Sequence, residues 1–315
     1  MINYVEISVI KMEELKKNII KTLLYYDIFS HPLNPDEIFS FLPRNSIAKD
    51  DVTKFLKESV KINNVPFGEK DGFYYIKPSV DNVCKRIIKE EYSQKMWKRA
   101  AMVTHIIKRF PFIRAVMVTG SLSKNSSDKK SDLDFMLITA NNRLWISRTL
   151  LMLFKKIFFL NSYKFFCLNY YITEGNLTIT ERNIFTATEI VTIKATYNSA
   201  LMEEFIYENK WVQDFFPNYD LCDPMLHTSG CKINNRRSIM QRIFEFLIPG
   251  WLAVKLDKKF MEMTRNHWEK KYPHINKDER DHMFKSTEGA SKTHPGNMQK
   301  KILGLYTQKL QEFNL

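Results

Sequence analysis

The residues with the clearest chemical potential lie in 120-GSLSKNSSDKKSDLDFMLIT-139. Gly120 and Ser121 are followed, after ten residues, by Asp132-Leu133-Asp134, and that acidic pair runs straight into an apolar segment. Side chains alternate along a strand, so Asp132 and Asp134 share one face while Leu133 and Phe135 take the other. Two carboxylates a few ångströms apart repel each other, and a divalent cation between them removes the repulsion. Lys124, Lys129 and Lys130 stand between the two halves of the motif and suit phosphate oxygens. A polar turn with Asp132 as turn former would account for the hydroxyl residues. It gives no reason for the terminal Gly-Ser, the spacing, or a second acid inside a strand, where Asp is depleted.

The elements that must position these groups are legible on either side. Residues 115-AVMVTG-120 and 133-LDFMLIT-139 predict two strands, with Gly-Ser at the end of one and the acids at the start of the other. A helix is predicted over 141–158, then a strand over 164-KFFCLNYYIT-173 whose polar interior position is Asn169. A long helical pattern from Ser79 to about Arg109 leads into the motif. Between residues 84 and 130, twelve Lys or Arg stand against three Asp or Glu, an excess that favours a polyanion near the acids.

The pattern Gly120-Ser121, ten residues, Asp132-Leu133-Asp134 resembles the signature of the DNA polymerase beta nucleotidyltransferase superfamily, which includes the minimal nucleotidyltransferases and the antibiotic adenylyltransferases. The likeness covers residues 115 to 139 and extends over 100 to 173 as topology. It implies that Asp132 and Asp134 hold Mg²⁺ bridging the triphosphate of a bound nucleoside triphosphate. It further implies that Gly120 allows close backbone approach, and that Ser121, Lys124 and Ser131 face the phosphates. The family places a third carboxylate on the strand where Asn169 stands here. An amide oxygen can ligate Mg²⁺ but cannot act as a base. Glu174, just past that strand, is the candidate substitute, with Glu181 and Glu189 more remote.

The first 78 residues predict a separate unit. Leu15, Ile19, Ile20, Leu23 and Leu24 form a helical stripe; Asn34, Pro35 and Glu37 announce a second helix with a capping box; Val52, Phe55, Leu56 and Val60 mark a third. Residues 65-VPFGEKDGFYYI-76 predict a hairpin around Asp-Gly. Three helices and a hairpin in this order resemble a winged helix. The exposed positions expected on its third helix, Asp50, Asp51, Lys54, Lys57, Glu58 and Lys61, are mixed in charge, which argues against sequence-specific DNA reading. Residues 79–180 are expected to form a nucleotidyltransferase-type core with a small mixed sheet, and 181–315 a helical region with a polar loop over 273–296. The fold class predicted is α+β.

The chain has 315 residues, 44% of them hydrophobic, and a formal charge of +13, which favours phosphate-rich partners. Four widely spaced cysteines, Cys84, Cys167, Cys222 and Cys231, suggest neither a disulfide framework nor a metal knuckle and suit a reducing cytoplasm. His267, His274, His282 and His294 lack a tight zinc spacing. The N-terminus lacks the basic start and long apolar region of a signal peptide. The apolar run 243-IFEFLIPGWLAV-254 is too short for a span of roughly twenty residues. It predicts two core helices meeting at Pro249-Gly250, with membrane-surface contact as the alternative. Two functions are therefore expected. One is a Mg²⁺-dependent transfer of a nucleoside monophosphate to an acceptor such as a nucleic-acid end, a protein hydroxyl or an anionic metabolite. The other is a catalytically degenerate nucleotide-binding regulator or adaptor whose winged helix binds DNA or a protein.

Overall fold

The computed structural model describes residues 4–43, 47–159, 164–228, 236–293 and 296–315. Helix α1 (Tyr4–Asp27) buries its predicted stripe, Leu15 through Leu24. Helix α2 (Pro35–Ser40) starts where the sequence places it. The Asn34 side chain accepts from the Glu37 N–H and the Glu37 carboxylate accepts from the Asn34 N–H, both at 2.9 Å, so two end donors are satisfied reciprocally. Helix α3 (Lys49–Ile62) buries Val52 and Leu56 and leaves all seven of its charged residues exposed, the six expected positions and Lys49. Strands β1 (Phe67–Lys70) and β2 (Phe73–Ile76) turn at Asp71 and Gly72, whose φ values of 52° and 81° are the pair a two-residue hairpin turn needs. Leu33 bridges to Tyr74 on the outer edge of this hairpin.

Helix α4 (Asp81–Ile107) carries the chain into the central sheet and is tied back to the first unit by Arg86. Its guanidinium donates to both Glu37 oxygens at 2.7 Å and to the Pro32 carbonyl, and lies 4.4 Å from the centre of the Phe73 ring. There follow β3 (Ile113–Val118), the single turn α5 (Gly120–Ser123), β4 (Asp134–Thr139), α6 (Leu144–Phe158) and β5 (Cys167–Thr173). Next come α7 (Ile184–Thr192), β6 (Lys194–Tyr197), α8 (Ser199–Glu208), a 3₁₀ turn at Lys210–Asp214 and α9 (Pro224–His227). The chain closes with α10 (Ile239–Leu247), α11 (Gly250–Lys271), α12 (Lys277–Met283), β7 (Ala290–Lys292) and α13 (Met298–Glu312).

The five-stranded sheet has the order β6-β3-β4-β5-β7, with β4 and β5 parallel and the other pairs antiparallel. The parallel pair needs a crossover, which α6 supplies. One face, with Ala115, Met117, Met136 and Ile138, is continuous with the core of the first unit and with α7 and α8. The other face, with Val116, Val118, Phe135 and Leu137, packs on α4 and α6. Lys309 of α13 pairs with Asp27 of α1 at 2.7 Å, so the last helix clasps the first.

The 181–315 region departs from the helical expectation: it supplies both edge strands, β6 and β7, and the 273–296 stretch contains α12 as well as β7. Strands of four and three residues are shorter than any alternation signal, and they exist because the edges of β3 and β5 pair with them. The expected core helices around Pro249-Gly250 are present as α10 and α11, but most of their apolar side chains are exposed rather than buried.

Candidate functional site

Asp134 opens β4, and its carbonyl accepts from the Thr119 N–H at 3.1 Å, which brings the end of β3 beside it. Gly120 then turns away at φ +68°, and a Cβ there would lie 2.7 Å from the Asp134 Oδ2. Glycine is required twice over: for the left-handed backbone and for the space the carboxylate fills. Asp132, exposed, and Asp134, half-buried, flank Leu133, which is fully buried on the opposite face as the alternation predicts.

Asn169 reaches this point through a β-bulge. Asp134 pairs with Cys167 and Phe135 with Leu168, but Met136 pairs with Tyr170, so Asn169 is the extra residue of β5. The bulge shifts the alternation: Phe166, Leu168 and Tyr171 lie in the core facing α4 and α6, while Tyr170 and Ile172 pack on the opposite side. The Asn169 amide donates to the Asp134 Oδ1 at 2.7 Å, and its Oδ1 accepts from the Cys167 thiol at 3.1 Å. Residues 120, 134 and 169, from three separate segments, thus meet around one carboxylate.

A further carboxylate at this group is Glu189 of α7. It accepts from the Gly120 N–H at 3.4 Å and pairs with the Lys124 ammonium at 2.8 Å, while Lys124 also donates to the Gly120 carbonyl at 3.2 Å. Burial raises the Asp134 pKa to about 6; a hydrogen bond from the Cys167 thiol opposes the rise, the charges of Asp132 and Glu189 add to it, and Lys124 opposes it. Lys155, buried on α6, is held below the usual lysine range by burial, and the charges of Cys167 and Asp132 act on it.

The remaining expected residues are placed differently. Ser121 shares a hydrogen bond with Ser127 at 3.2 Å, and Ser131 is engaged in the turn around Asp128, so both hydroxyls are partnered within the loop. Lys129 and Lys130 are exposed. Glu174 sits past the far end of β5, its N–H bonded to the Thr139 carbonyl and its carboxylate 3.8 Å from Arg114. Five residues of β4 separate that end from Asp134, a distance of about 16 Å at ~3.3 Å per residue. Glu174 therefore cannot stand in for a third acid, and Glu181 pairs with Lys292.

No protein-family model, curated protein or solved structure matches this chain. Among the described residues, no group of three His, Cys, Asp or Glu is arranged to hold a metal ion, and Cys231 and His294 lie outside those residues. No described helix is long and apolar enough to cross a membrane.

Sequence reasoning named Glu189 only as a remote substitute. The available signal was Asn183, which caps α7 by accepting from the Thr186 N–H, followed by an apolar helix interrupted by one acid. What no local pattern carries is that α7 brings Glu189 to the Gly120 N–H and to Lys124.

Proposed function

We propose that this protein is a Mg²⁺-dependent nucleotidyltransferase that moves a nucleoside monophosphate from a nucleoside triphosphate to an acceptor hydroxyl or phosphate, releasing pyrophosphate. The observation that supports it is the convergence of Gly120, Asp134 and Asn169 on one point, with like charges from Asp132 and Glu189 gathered beside it. An excess of carboxylate charge at the mouth of a strand suits a hard cation, and a nearby ammonium suits phosphate.

Asp132 and Asp134 would hold the ion, which when bound supplies charge neutralisation for the phosphoryl oxygens. Rotating the Asn169 amide by half a turn would present its oxygen to the same point and its NH₂ to the Cys167 sulfur. Lys124 has a choice of partners: paired with Glu189 as it stands, or swung onto a phosphate. Gly120 keeps the backbone close and free of a side chain. Glu189, rather than Asn169, is the residue with a carboxylate able to accept a proton.

A second reading is favoured by the Asn169-Asp134 hydrogen bond and by the Lys124-Glu189 pair, which give the site internal partners without substrate. In that reading the domain binds nucleotide without transferring it, and the first unit, with its mixed-charge α3, docks a protein or binds DNA weakly. Incubation with each labelled nucleoside triphosphate and Mg²⁺, followed by assay of pyrophosphate and labelled products including the protein itself, separates the two. Pyrophosphate release that Glu189→Gln abolishes supports transfer; Mg²⁺-dependent binding with no release supports the second reading; no binding removes both.

A further inference from the structure

Helix α10 is amphipathic in the inverted sense. Gln241 and Glu245, one turn apart on a single side, point into the protein: Gln241 is fully buried and donates to the Ile113 carbonyl, and Glu245 accepts from the Phe112 N–H at 2.7 Å and from Arg114 at 2.8 Å. The opposite side carries Ile239, Ile243, Phe246 and Leu247, which are 78%, 53%, 89% and 64% exposed. Trp251, at the start of α11 four residues after Leu247, is 73% exposed. A helix in water buries its apolar side and wets its polar one. Here the polar side anchors the helix and the apolar side is left outward.

The charges that residues 236–259 themselves expose are of one sign, with exposed Glu288 standing 3.8 Å from Lys258. Arg236, Arg237, Arg242, Lys255, Lys258 and Lys259 are all exposed. The two acids between 236 and 259 are turned inward: Glu245 as described, and buried Asp257 accepting from the Ile146 N–H at 2.9 Å. Aliphatic and aromatic residues on one side with a basic rim are the composition of helices that lie in a membrane interface. We propose that α10 and the first turn of α11 dock on an anionic lipid surface, with Ile243, Phe246, Leu247 and Trp251 inserted at the acyl boundary and the basic rim on the headgroups. A second copy of the chain is disfavoured as the occupant, because apposing two such faces brings two basic rims together. The proposal concerns a surface separate from the Asp134 cluster and does not depend on the activity assigned to it.

The test is flotation of the full chain with phosphatidylcholine vesicles, with and without phosphatidylserine, at low and physiological salt. The protein should float with the anionic vesicles alone and more weakly as salt rises, with a blue-shifted fluorescence component that Trp251→Phe removes. The double variant Phe246→Ser/Trp251→Ser and the triple variant Arg242→Ser/Lys255→Ser/Lys259→Ser should each lower partitioning about tenfold or more. Their far-ultraviolet circular dichroism and melting should match the parent, since every changed side chain is exposed. Failure of the parent to float with anionic vesicles overturns the proposal, as does flotation that neither variant weakens. A lipid-free dimer in equilibrium sedimentation that Phe246→Ser dissociates would also overturn it, assigning the face to a second copy.

Discussion

Glu37 and Asp134 are both half-buried carboxylates against the same continuous core, yet their surroundings are opposite. Glu37 closes a capping box and receives both arms of Arg86, so each oxygen has a donor and an opposite charge faces it. Asp134 receives only neutral donors, the Asn169 amide and the Cys167 thiol, and faces two further carboxylates, with a single lysine that is already paired to one of them. The first arrangement is what a fold builds to hold itself together. The second costs stability and is retained where a cation or phosphate completes it.

The largest effect should come from breaking the satisfied pair. Arg86→Met strands Glu37 and the Pro32 carbonyl and should cost about 2–4 kcal/mol in denaturant unfolding, since Arg86 is buried and Glu37 only partly screened. An unchanged midpoint would mean that the two carboxylates do not differ in the way described.

Gly120→Ala comes next. The left-handed backbone and the approach to Asp134 should together cost about 1–3 kcal/mol. Because the carboxylate is displaced, Mg²⁺-dependent nucleotide binding measured by calorimetry should fall more than stability does.

Asp134→Asn should have the opposite sign. Removing a charge that burial and two neighbouring acids disfavour should raise apo stability by about 1 kcal/mol while weakening nucleotide binding in Mg²⁺. Asn169→Asp adds a charge to the same cluster, so its melting temperature should drop without Mg²⁺ and recover with it. A drop that Mg²⁺ does not reverse would mark Asn169 as a core position only.

The smallest effect concerns a buried group outside the Asp134 cluster. Burial, helped by Lys194, lowers the His227 pKa to about 4. The unfolded chain therefore takes up protons first as pH falls, so this stability is intact above about pH 6.5 and lost down to about pH 4. Between pH 7 and 6 the loss should be about 0.5–1 kcal/mol, and His227→Gln should flatten that slope.

Much of the first unit was legible because its signals are local: the Asn34 box, the Asp71-Gly72 turn and the stripe of α1 each depend on residues within a few positions. The Gly120 and Asp134 relation was legible for a similar reason, since a short antiparallel connection brings them together. Glu189 was undervalued and Glu174 overvalued because nearness to a strand end in sequence says nothing about which end of the sheet it occupies.

By itself the sequence determined the helices with caps and stripes, the hairpin, the three central strands and the shared face of Asp132 and Asp134, all of which follow from periodicity and backbone sterics. Tertiary structure alone decided the two edge strands, the bulge that turns Asn169 onto Asp134, the contact of Glu189 on α7 with Gly120 and the inward turn of the polar side of α10. Each of these depends on partners distant in the chain, whose pairing energy outweighs the local preference and leaves no periodic trace.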